Sequence, residues 1–264
     1  MKQVAVIQDI SGLGRCSLAA ALPVLSAMGV QCCPVPTAVY TNQTGFRRFA
    51  VLDCEVVLKE FPAMWKENGA APDAIYTGFL SSPRQLEAVQ AIVDTFRRPG
   101  TLLLADPVMG DNGARYPGFD DALCSAIAQF AAQADVITPN VTEACILTGM
   151  DYDNAMDEKQ IRRICESLPQ KQIVVTGWRR GNCICNAAWE NGDFTVYTSP
   201  ARAGSWSGTG DLFASALCGG LVKGDGMDRA IRRAVHFLEL SLATATGRPE
   251  AGVPFEAHLK ELMD

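Results

Sequence analysis

Short apolar runs of strand-like composition alternate with longer helical patterns along most of this 264-residue chain. The short runs are apolar at consecutive positions, which is typical of strands that are buried on both faces of a parallel sheet. Six runs are predicted as strands: residues 4–8, 30–36, 74–77, 101–105, 136–138 and 173–176. Five helical segments lie between them: residues 17–28, 83–96, 120–133, 142–148 and 158–167. This alternation predicts an α/β fold with a doubly wound, mostly parallel central sheet and helices on both faces.

The last third of the chain follows a different pattern. After Thr176 we predict a β-hairpin with strands at residues 183–189 and 194–197, which turns at residues 191–193. Two helices and a third, short one complete the chain: residues 212–222, residues 228–246 and a segment near His258. The pattern contains no internal repeat, no linker and no separate lid domain. With 48% hydrophobic residues, the chain is therefore predicted to form a single domain over residues 1–264.

Composition excludes several classes of function. The formal net charge is −6 and the paired arginines are scattered, so we expect no nucleic-acid partner. No apolar run is long enough to span a bilayer, and the apolar stretch at the N-terminus is too short for a secretory signal. We therefore expect a cytoplasmic protein with no membrane partner. Ten cysteines without a CxxC spacing, and only two histidines, favour buried reduced thiols over disulfides or a His/Cys metal site.

The segment GSWSGTGDLFASAL, residues 204–217, changes from small flexible residues to an apolar run with helical spacing. Gly208 and Gly210 on either side of Thr209 let the backbone turn tightly and approach a ligand. The first N–H groups of the following helix have no intrahelical acceptors, and with the helix dipole they form a pocket for an anion. Asp211 lies directly behind the glycines. The structural alternative is a tight turn followed by an ordinary stabilising acid in the first helical turn.

Polar side chains follow two of the predicted strands. Asp106 comes directly after the strand TLLLA, with Asp111 close behind it, and Asn140 and Glu143 follow the next strand one helical turn apart. Carboxylates that gather at strand ends repel each other unless a cation lies among them, and hard oxygen ligands suit Mg²⁺. The structural alternative for Asn140 and Glu143 is an N-cap with its capping-box partner.

An anion pocket, a nearby carboxylate and several oxygen ligands for a divalent ion are together the parts that phosphoryl transfer requires. The sequence contains no GxxxxGK[ST] motif, so the chain is not predicted to be a P-loop enzyme. Gly12-Leu13-Gly14 follows a strand, as a dinucleotide fingerprint would, but Ser17 stands where the third glycine belongs. A dehydrogenase is therefore disfavoured.

These segments resemble a known family. GTGDLFASAL is similar to the anion-hole signature of the ribokinase-like superfamily, and DPVMGD and TPNVTEA resemble its vitamin-kinase branch. YTNQTGF, residues 40–46, and QDISGLGRCSL near the N-terminus resemble the pyridoxal (vitamin B6) kinases. The motifs occur in the family's order over nearly the whole chain, from about Val4 to the helix that contains His236.

The resemblance implies a role for each matching residue. Asp211 would be the catalytic base for the 5′-hydroxymethyl group of the substrate, and Gly208, Thr209 and Gly210 would supply amides to the transferred phosphate. Mg²⁺ would be held by Asp106, Asp111 and Glu143. The nucleotide would be contacted by Asn140, Thr176, Gly177, Gly208 and Gly210. The acceptor ring would lie against Asp9 or Ser11, with Tyr40, Gln43 and Thr44.

The same resemblance implies that ATP is the phosphoryl donor, that a B6 vitamer is the acceptor, and that the chain works as a homodimer. A monovalent cation, K⁺ or Na⁺, is implied near the nucleotide. Typical pyridoxal kinases carry His and Tyr where this chain has Gln43 and Phe46, and the loop after the first strand is about one residue shorter. A hydroxymethylpyrimidine kinase of thiamine synthesis, and a non-catalytic B6 or nucleotide carrier, therefore stay open as alternatives.

Overall fold

A computed structural model of the chain describes residues 1–202 and 204–263. A nine-stranded sheet runs through it in the order β11-β10-β9-β8-β5-β4-β1-β2-β3. Its strands are β1 (Gln3–Ser11), β2 (Gln31–Tyr40), β3 (Val51–Asp53), β4 (Ala74–Thr77), β5 (Leu102–Ala105), β8 (Val136–Ile137), β9 (Gln172–Arg180), β10 (Cys183–Glu190) and β11 (Asp193–Pro200). The strands from β2 to β9 across the middle of the sheet are parallel, and β3, β10 and β11 are antiparallel to their neighbours. A separate two-stranded hairpin is formed by β6 (Gly110–Asp111) and β7 (Ala114–Arg115).

Helices cover both faces of this sheet. They are α1 (Ser17–Ala27), α2 (Glu55–Leu58), α3 (Phe61–Glu67), α4 (Pro83–Phe96), α5 (Asp121–Ala131), α6 (Val141–Thr148), α7 (Glu158–Ser167), α8 (Thr209–Lys223) and α9 (Met227–Ala243). Ala5 and Ile7 of β1 lie in the hydrophobic core that α4, α5 and α7 cover. Val4 and Val6 lie in the second core, under α1, α8 and α9. Because consecutive residues of one strand enter opposite cores, the strands are apolar at every position, and the predicted doubly wound fold is confirmed.

Local signals at helix ends behave as their chemistry dictates. Ser82 caps α4 by accepting a hydrogen bond from the backbone N–H of Gln85, and Pro83 occupies the first turn. Gly29, with φ of +71°, follows the end of α1. The predicted C-terminal hairpin turns at Asn191 and Gly192, both with positive φ, as a tight two-residue turn requires.

Residues 51–67 differ from the prediction, which assigned no element there. The edge strand β3 is three residues long and exposed along its whole length, so it carries no alternation for a pattern to detect. Helix α2 is only four residues long and exposes Val56 and Val57. The segment near His258 is a short 3-10 helix, Glu256–Leu262, rather than an α-helix. No helix in the described part of the chain is long and apolar enough to cross a membrane.

The strand order changes direction at β1, which lies between β2 on one side and β4 on the other. In such sheets the crevice beyond the carboxyl ends of the strands, at this point, is where ligands bind. Asp9 lies near the carboxyl end of β1, Asp106 directly follows β5, and Asn140 lies shortly after β8. The fold therefore gathers these polar residues along one edge of the sheet.

Candidate active site

The N-terminus of α8 has a backbone conformation that only glycine adopts readily. Gly208 is the N-cap residue, with φ of +81°, and no side chain caps the helix. A Cβ atom at Gly208 would collide with the carbonyl oxygen of Arg15. A Cβ atom at Gly210 would lie 3.9 Å from Oδ2 of Asp106. The predicted anion pocket is thus an uncapped helix mouth, closed on one side by the Arg15 backbone and bordered by a carboxylate.

Three carboxylates from three elements share this edge. Asp9 is 5% exposed and Asp106 is 7% exposed, whereas Asp211 in the first turn of α8 is half-buried. Burial raises the pKa of Asp9 to about 6, and the charge of Asp211 adds to the rise. Burial, and then the charge of Asp211, likewise raises the pKa of Asp106, although Thr138 Oγ1 donates a hydrogen bond to its Oδ1 at 3.0 Å. Burial also raises the pKa of Asp211. The negative charges of the three carboxylates repel one another, so their proximity favours the binding of a cation or of a proton.

Ser17 links two of these carboxylates. Its backbone N–H donates a hydrogen bond to Asp211, and its hydroxyl interacts with Asp9, each lowering the pKa of the carboxyl that it contacts. Ser17 is buried and has φ of +47°, a conformation that costs a non-glycine residue energy. The two other non-glycine residues with positive φ in the described chain, Asn112 and Asn191, lie at hairpin turns. Nothing in the sequence pattern marked Ser17 for this role.

Asn140 and Glu143 form the capping box that was the structural alternative. Asn140 Oδ1 accepts a hydrogen bond from the Glu143 N–H at 2.9 Å, and Glu143 Oε2 accepts one from the Asn140 N–H at 2.8 Å. Glu143 Oε1 also accepts from the Met109 N–H at 3.1 Å, and Asn140 Nδ2 donates to the Gly110 carbonyl at 2.8 Å. Both residues therefore fasten the β6–β7 hairpin to α6. Glu143 is only 3% exposed, and this burial raises the pKa of its carboxyl. The charge of the nearby Asp106 raises the pKa further.

The predicted metal ligands do not form a ready-made cage. Asp111 is exposed in the hairpin and accepts hydrogen bonds from Asn112. Within residues 1–202 and 204–263, no group of three or more His, Cys, Asp or Glu side chains could hold a metal ion together. Asp106 still fits Mg²⁺, because its Oδ2 faces Gly210 at the anion pocket. Mg²⁺ commonly binds proteins through one or two carboxylates and completes its shell with water and phosphate oxygens.

A row of aromatic rings begins at the carboxyl end of β2. Tyr40 at the end of β2 packs against Phe49 and Phe79, with ring centroids 5.7 and 6.5 Å apart. Phe79 continues to Phe119 at 5.7 Å, and Phe119 to Tyr116 at 6.2 Å. Phe79 is the second residue after β4, and Asp106 is the first residue after β5, so both lie beyond the carboxyl ends of neighbouring strands.

The loop after β1 pairs with the segment that follows β2. Gly12 N donates to the Tyr40 carbonyl at 2.9 Å, and Gln43 N donates to the Leu13 carbonyl at 2.8 Å. Gln43 Oε1 accepts a hydrogen bond from the Gly45 N–H at 2.7 Å, so its side chain holds its own loop. The other predicted acceptor residues differ in exposure, since Ser11 is buried and Thr44 is exposed. Asp9 lies at a β-bulge in β1, an irregularity that re-aims a side chain.

The predicted nucleotide residues meet at the next strands of the sheet. Asn140 and Thr176 form an isolated parallel β-bridge, and Thr176 N donates to the Pro139 carbonyl at 2.9 Å. Gly177 is exposed, has φ of +70°, and has open space where a Cβ atom would point. This part of the edge is therefore open to a ligand.

Asp9→Asn is expected to stabilise the protein above pH 6 and to have little effect near pH 4. Below a pH of about 4 the carboxyl of Asp9 is protonated in both the folded and the unfolded protein. Above pH 6 it is ionised in both, and the ionised form is disfavoured only in the folded protein, where it is buried. The free energy of unfolding of the parent protein therefore falls as pH rises between these values, by up to about 3 kcal/mol from this group. Denaturant melts of both proteins from pH 4.5 to 7.5 test this, and a constant difference across that range would contradict it.

A family model described as phosphomethylpyrimidine kinase matches residues 14–254. The chain belongs to the phosphomethylpyrimidine kinase family. The match runs from the loop after β1 to the segment that follows α9. It includes the anion pocket and two of the three carboxylates, Asp106 and Asp211, whereas Asp9 lies before it.

The relatives of this chain carry the names of two kinds of kinase, which differ in the acceptor. A Schizosaccharomyces pombe protein provisionally assigned as a pyridoxal kinase is 30% identical over 69% of this chain, and the match spans 57% of that protein. A hydroxymethylpyrimidine/phosphomethylpyrimidine kinase of Rhizobium meliloti is 27% identical over 88% of this chain and 87% of its own length. A Bacteroides thetaiotaomicron protein provisionally assigned as a phosphomethylpyrimidine kinase, crystallised with pyridoxal, is 33% identical. It superposes with a TM-score of 0.92 over 99% of this chain and 95% of its own. The resemblance to the ribokinase-like vitamin kinases is confirmed, and the comparisons support kinase activity. They do not distinguish a pyridine acceptor from a pyrimidine acceptor.

Proposed function

We propose that the chain transfers the γ-phosphoryl group of ATP to the 5′-hydroxymethyl group of pyridoxal, pyridoxine or pyridoxamine, and releases ADP. The observation that carries this proposal is the position of Asp211. It stands in the first turn of α8, directly behind an uncapped helix mouth and within electrostatic range of Asp106. A hydroxyl group that lies against Asp211 would face the phosphoryl group held by the helix N–H groups.

Each residue has a role that its surroundings support. Asp211 aligns and polarises the acceptor hydroxyl, and its pKa, raised by burial, suits it to take the proton as the O–P bond forms. The N–H groups after Gly208 donate to the oxygens of the phosphoryl group in flight. Ser17 holds Asp211 and Asp9 in place. A loose transition state asks little of the base, so the anion pocket supplies most of the rate enhancement.

Asp106 would hold Mg²⁺, and when bound the ion would screen the charge of the ATP phosphates. Asp111 stays in this proposal as a ligand through water, because its hairpin is tied to α6 beside Asp106. Asn140, Thr176 and Gly177 would face the nucleotide. The monovalent cation has no group of its own among these residues, and we propose it only from the family resemblance.

One relative supports a pyridoxal-type acceptor, because the Bacteroides thetaiotaomicron protein was crystallised with pyridoxal. The wall formed by Tyr40, Phe79 and Phe119 offers apolar faces on which a flat ring can stack. A hydroxymethylpyrimidine of similar size would also fit such a wall. It is the second candidate, because the Rhizobium meliloti relative carries that name.

The deciding experiment measures ADP release with pyridoxal, pyridoxine, pyridoxamine and hydroxymethylpyrimidine, each with and without Mg²⁺. We expect Mg²⁺-dependent release, with a kcat/KM for one B6 vitamer at least about tenfold above that for the pyrimidine. A preference for the pyrimidine would move the chain to the thiamine branch of the family. Release of no ADP with any acceptor, from protein that binds ATP, would instead support the non-catalytic carrier.

We also propose that the chain works as a homodimer. The exposed large apolar side chains of the described residues concentrate near the β3 edge of the sheet, including Val51, Leu52, Val56 and Val57. An exposed apolar edge strand is unusual in a monomer, because it invites pairing with another chain. Sedimentation velocity is expected to give a dimer that Leu52→Asp with Val56→Asp converts to a folded monomer. A monomeric parent protein would overturn the proposal.

A further inference from the structure

A group of arginines lies beside the loop that follows β1, and the transfer reaction proposed above does not use them. A surface cavity of about 430 Å³ is lined by Leu13, Asn42, Phe46, Arg47, Arg48 and Arg248, and we name it the arginine pocket. Three guanidinium groups around one cavity are a local exception in a chain whose net charge is −6.

The positive charge of the arginine pocket is only partly neutralised. Arg248 lies over the ring of Phe46, 5.0 Å from its centroid, and donates to Glu250 Oε1 at 2.9 Å. Arg47 and Arg48 have no carboxylate within ion-pair distance in the described part of the chain. The pocket therefore carries about two uncompensated positive charges at neutral pH.

The backbone that carries Arg47 and Arg48 is held in place before any ligand binds. Thr41 N donates to the Ala50 carbonyl at 3.0 Å, and Ala50 N donates to Thr41 Oγ1 at 3.0 Å, so the loop is closed at its neck. Asn42 Nδ2 crosses the loop to the Arg48 carbonyl at 3.0 Å. A closed loop pays less ordering entropy when its side chains bind an anion.

The pocket joins the acceptor loop to the approach of the anion pocket. Arg248 precedes Pro249, whose carbonyl accepts a hydrogen bond from Ser207 N at 3.2 Å, and Ser207 directly precedes Gly208. On the other side, Leu13 donates its N–H to the Thr41 carbonyl at 3.2 Å. The arginine pocket is therefore linked through backbone hydrogen bonds to the segment before Gly208 on one side and to the segment after β2 on the other.

We propose that the arginine pocket binds a flat aromatic phosphate monoester, the chemical class of the reaction product, at a position outside the transfer site. Guanidinium groups match the geometry of phosphate oxygens, and Phe46 and Leu13 offer apolar surface to a ring. This inference rests on the proposed function for the identity of the ring and extends it with a second binding position.

The test is a titration with pyridoxine 5′-phosphate, which has no aldehyde to react with lysine. The protein is first saturated with Mg²⁺, a non-hydrolysable ATP analogue and unphosphorylated pyridoxine, so that the transfer site is occupied. We expect binding that weakens as salt rises and that falls at least about tenfold in Arg47→Gln with Arg48→Gln, as loss of charge-assisted hydrogen bonds predicts. Arg162→Gln with Arg163→Gln, an adjacent exposed pair on α7, removes the same charge elsewhere and should bind as the parent protein does.

Inorganic phosphate and pyridoxine separate the two parts of the ligand. Phosphate is expected to compete with the ester, whereas the affinity for pyridoxine should change less than about threefold in the double variant. Equal binding by the double variant, by folded protein with an unchanged melting temperature, would overturn the proposal. Equal losses for ester and free pyridoxine would also overturn it, because the arginines would then act only through the acceptor loop.

The binding measurement stays decisive if the proposed function fails. If no acceptor releases ADP, the titration is repeated without pyridoxine, and a difference between the two double variants still supports the pocket. If ADP is released but the two double variants bind the ester equally well, the proposed reaction is supported and the proposal of a second binding site is overturned. Arg248→Gln provides an independent variant, expected to weaken the ester as well, since its guanidinium faces the same cavity.

Discussion

Asp211→Asn is expected to lower kcat by about 10²–10⁴-fold while the KM for ATP changes less than about threefold. The amide keeps the size of the side chain but cannot accept the hydroxyl proton, and the helix mouth that binds phosphate is left intact. Steady-state kinetics with the best acceptor, and ATP binding measured separately, give the two numbers. Equal losses of turnover and ATP binding would show that Asp211 only supports the helix.

Asp228→Asn is the matched control for Asp211. Asp228 also lies in the first turn of a helix, α9, where it forms an exposed ion pair with Arg232 at 2.9 Å. If Asp211 served only as a stabilising charge at a helix start, each of the two substitutions would lower stability slightly and leave activity almost unchanged. We expect that outcome for Asp228 alone.

Gly208→Ala is expected to lower kcat by about 10²–10³-fold, because it removes the backbone geometry of the anion pocket. Its Cβ atom would collide with the carbonyl oxygen of Arg15, so either the loop before α8 or the loop that carries Arg15 must move. The left-handed conformation adds about 1–2 kcal/mol of destabilisation for any residue with a Cβ atom. Kinetics and thermal melts on the same preparation separate the two effects.

Gly224→Ala controls for the conformational cost. Gly224 ends the same helix with φ of +95°, and open space surrounds the position of its Cβ atom. This variant should lose only the stability that the left-handed conformation costs, and it should keep its activity. If Gly208→Ala also kept its activity, the helix mouth would not be the site of transfer.

The fold was predictable because its signals are local. A strand covered on both faces must be apolar at every position, and Ser82, Gly29 and Asn191-Gly192 each mark an end or a turn through their own backbone chemistry. The segment from β3 to α3 was not predictable in this way. Its elements are short and exposed, so no burial imposes a period on the sequence.

The proximity of the polar residues was predictable where a residue directly follows a strand or opens a helix, as Asp106 and Asp211 do. It was not predictable where two distant segments meet. Ser17 contacts Asp211 across 194 positions of sequence, and its φ of +47° leaves no trace in its residue type. The capping box of Asn140 and Glu143 shows the opposite case, in which a local motif was found but its hydrogen bonds are structural. The ligands of Mg²⁺ remain a prediction.

The position of β1 between β2 and β4 has a further consequence for how such an enzyme changes over time. The aromatic wall proposed to meet the acceptor is built from the first 120 residues, whereas the N-terminus of α8, proposed to hold the phosphoryl group, comes from the last third of the chain. Substitutions in the rings of this wall can therefore reshape the ring cavity while the N-terminus of α8 stays unchanged. One ancestral scaffold can in this way yield enzymes for chemically distinct vitamins without inventing the reaction twice.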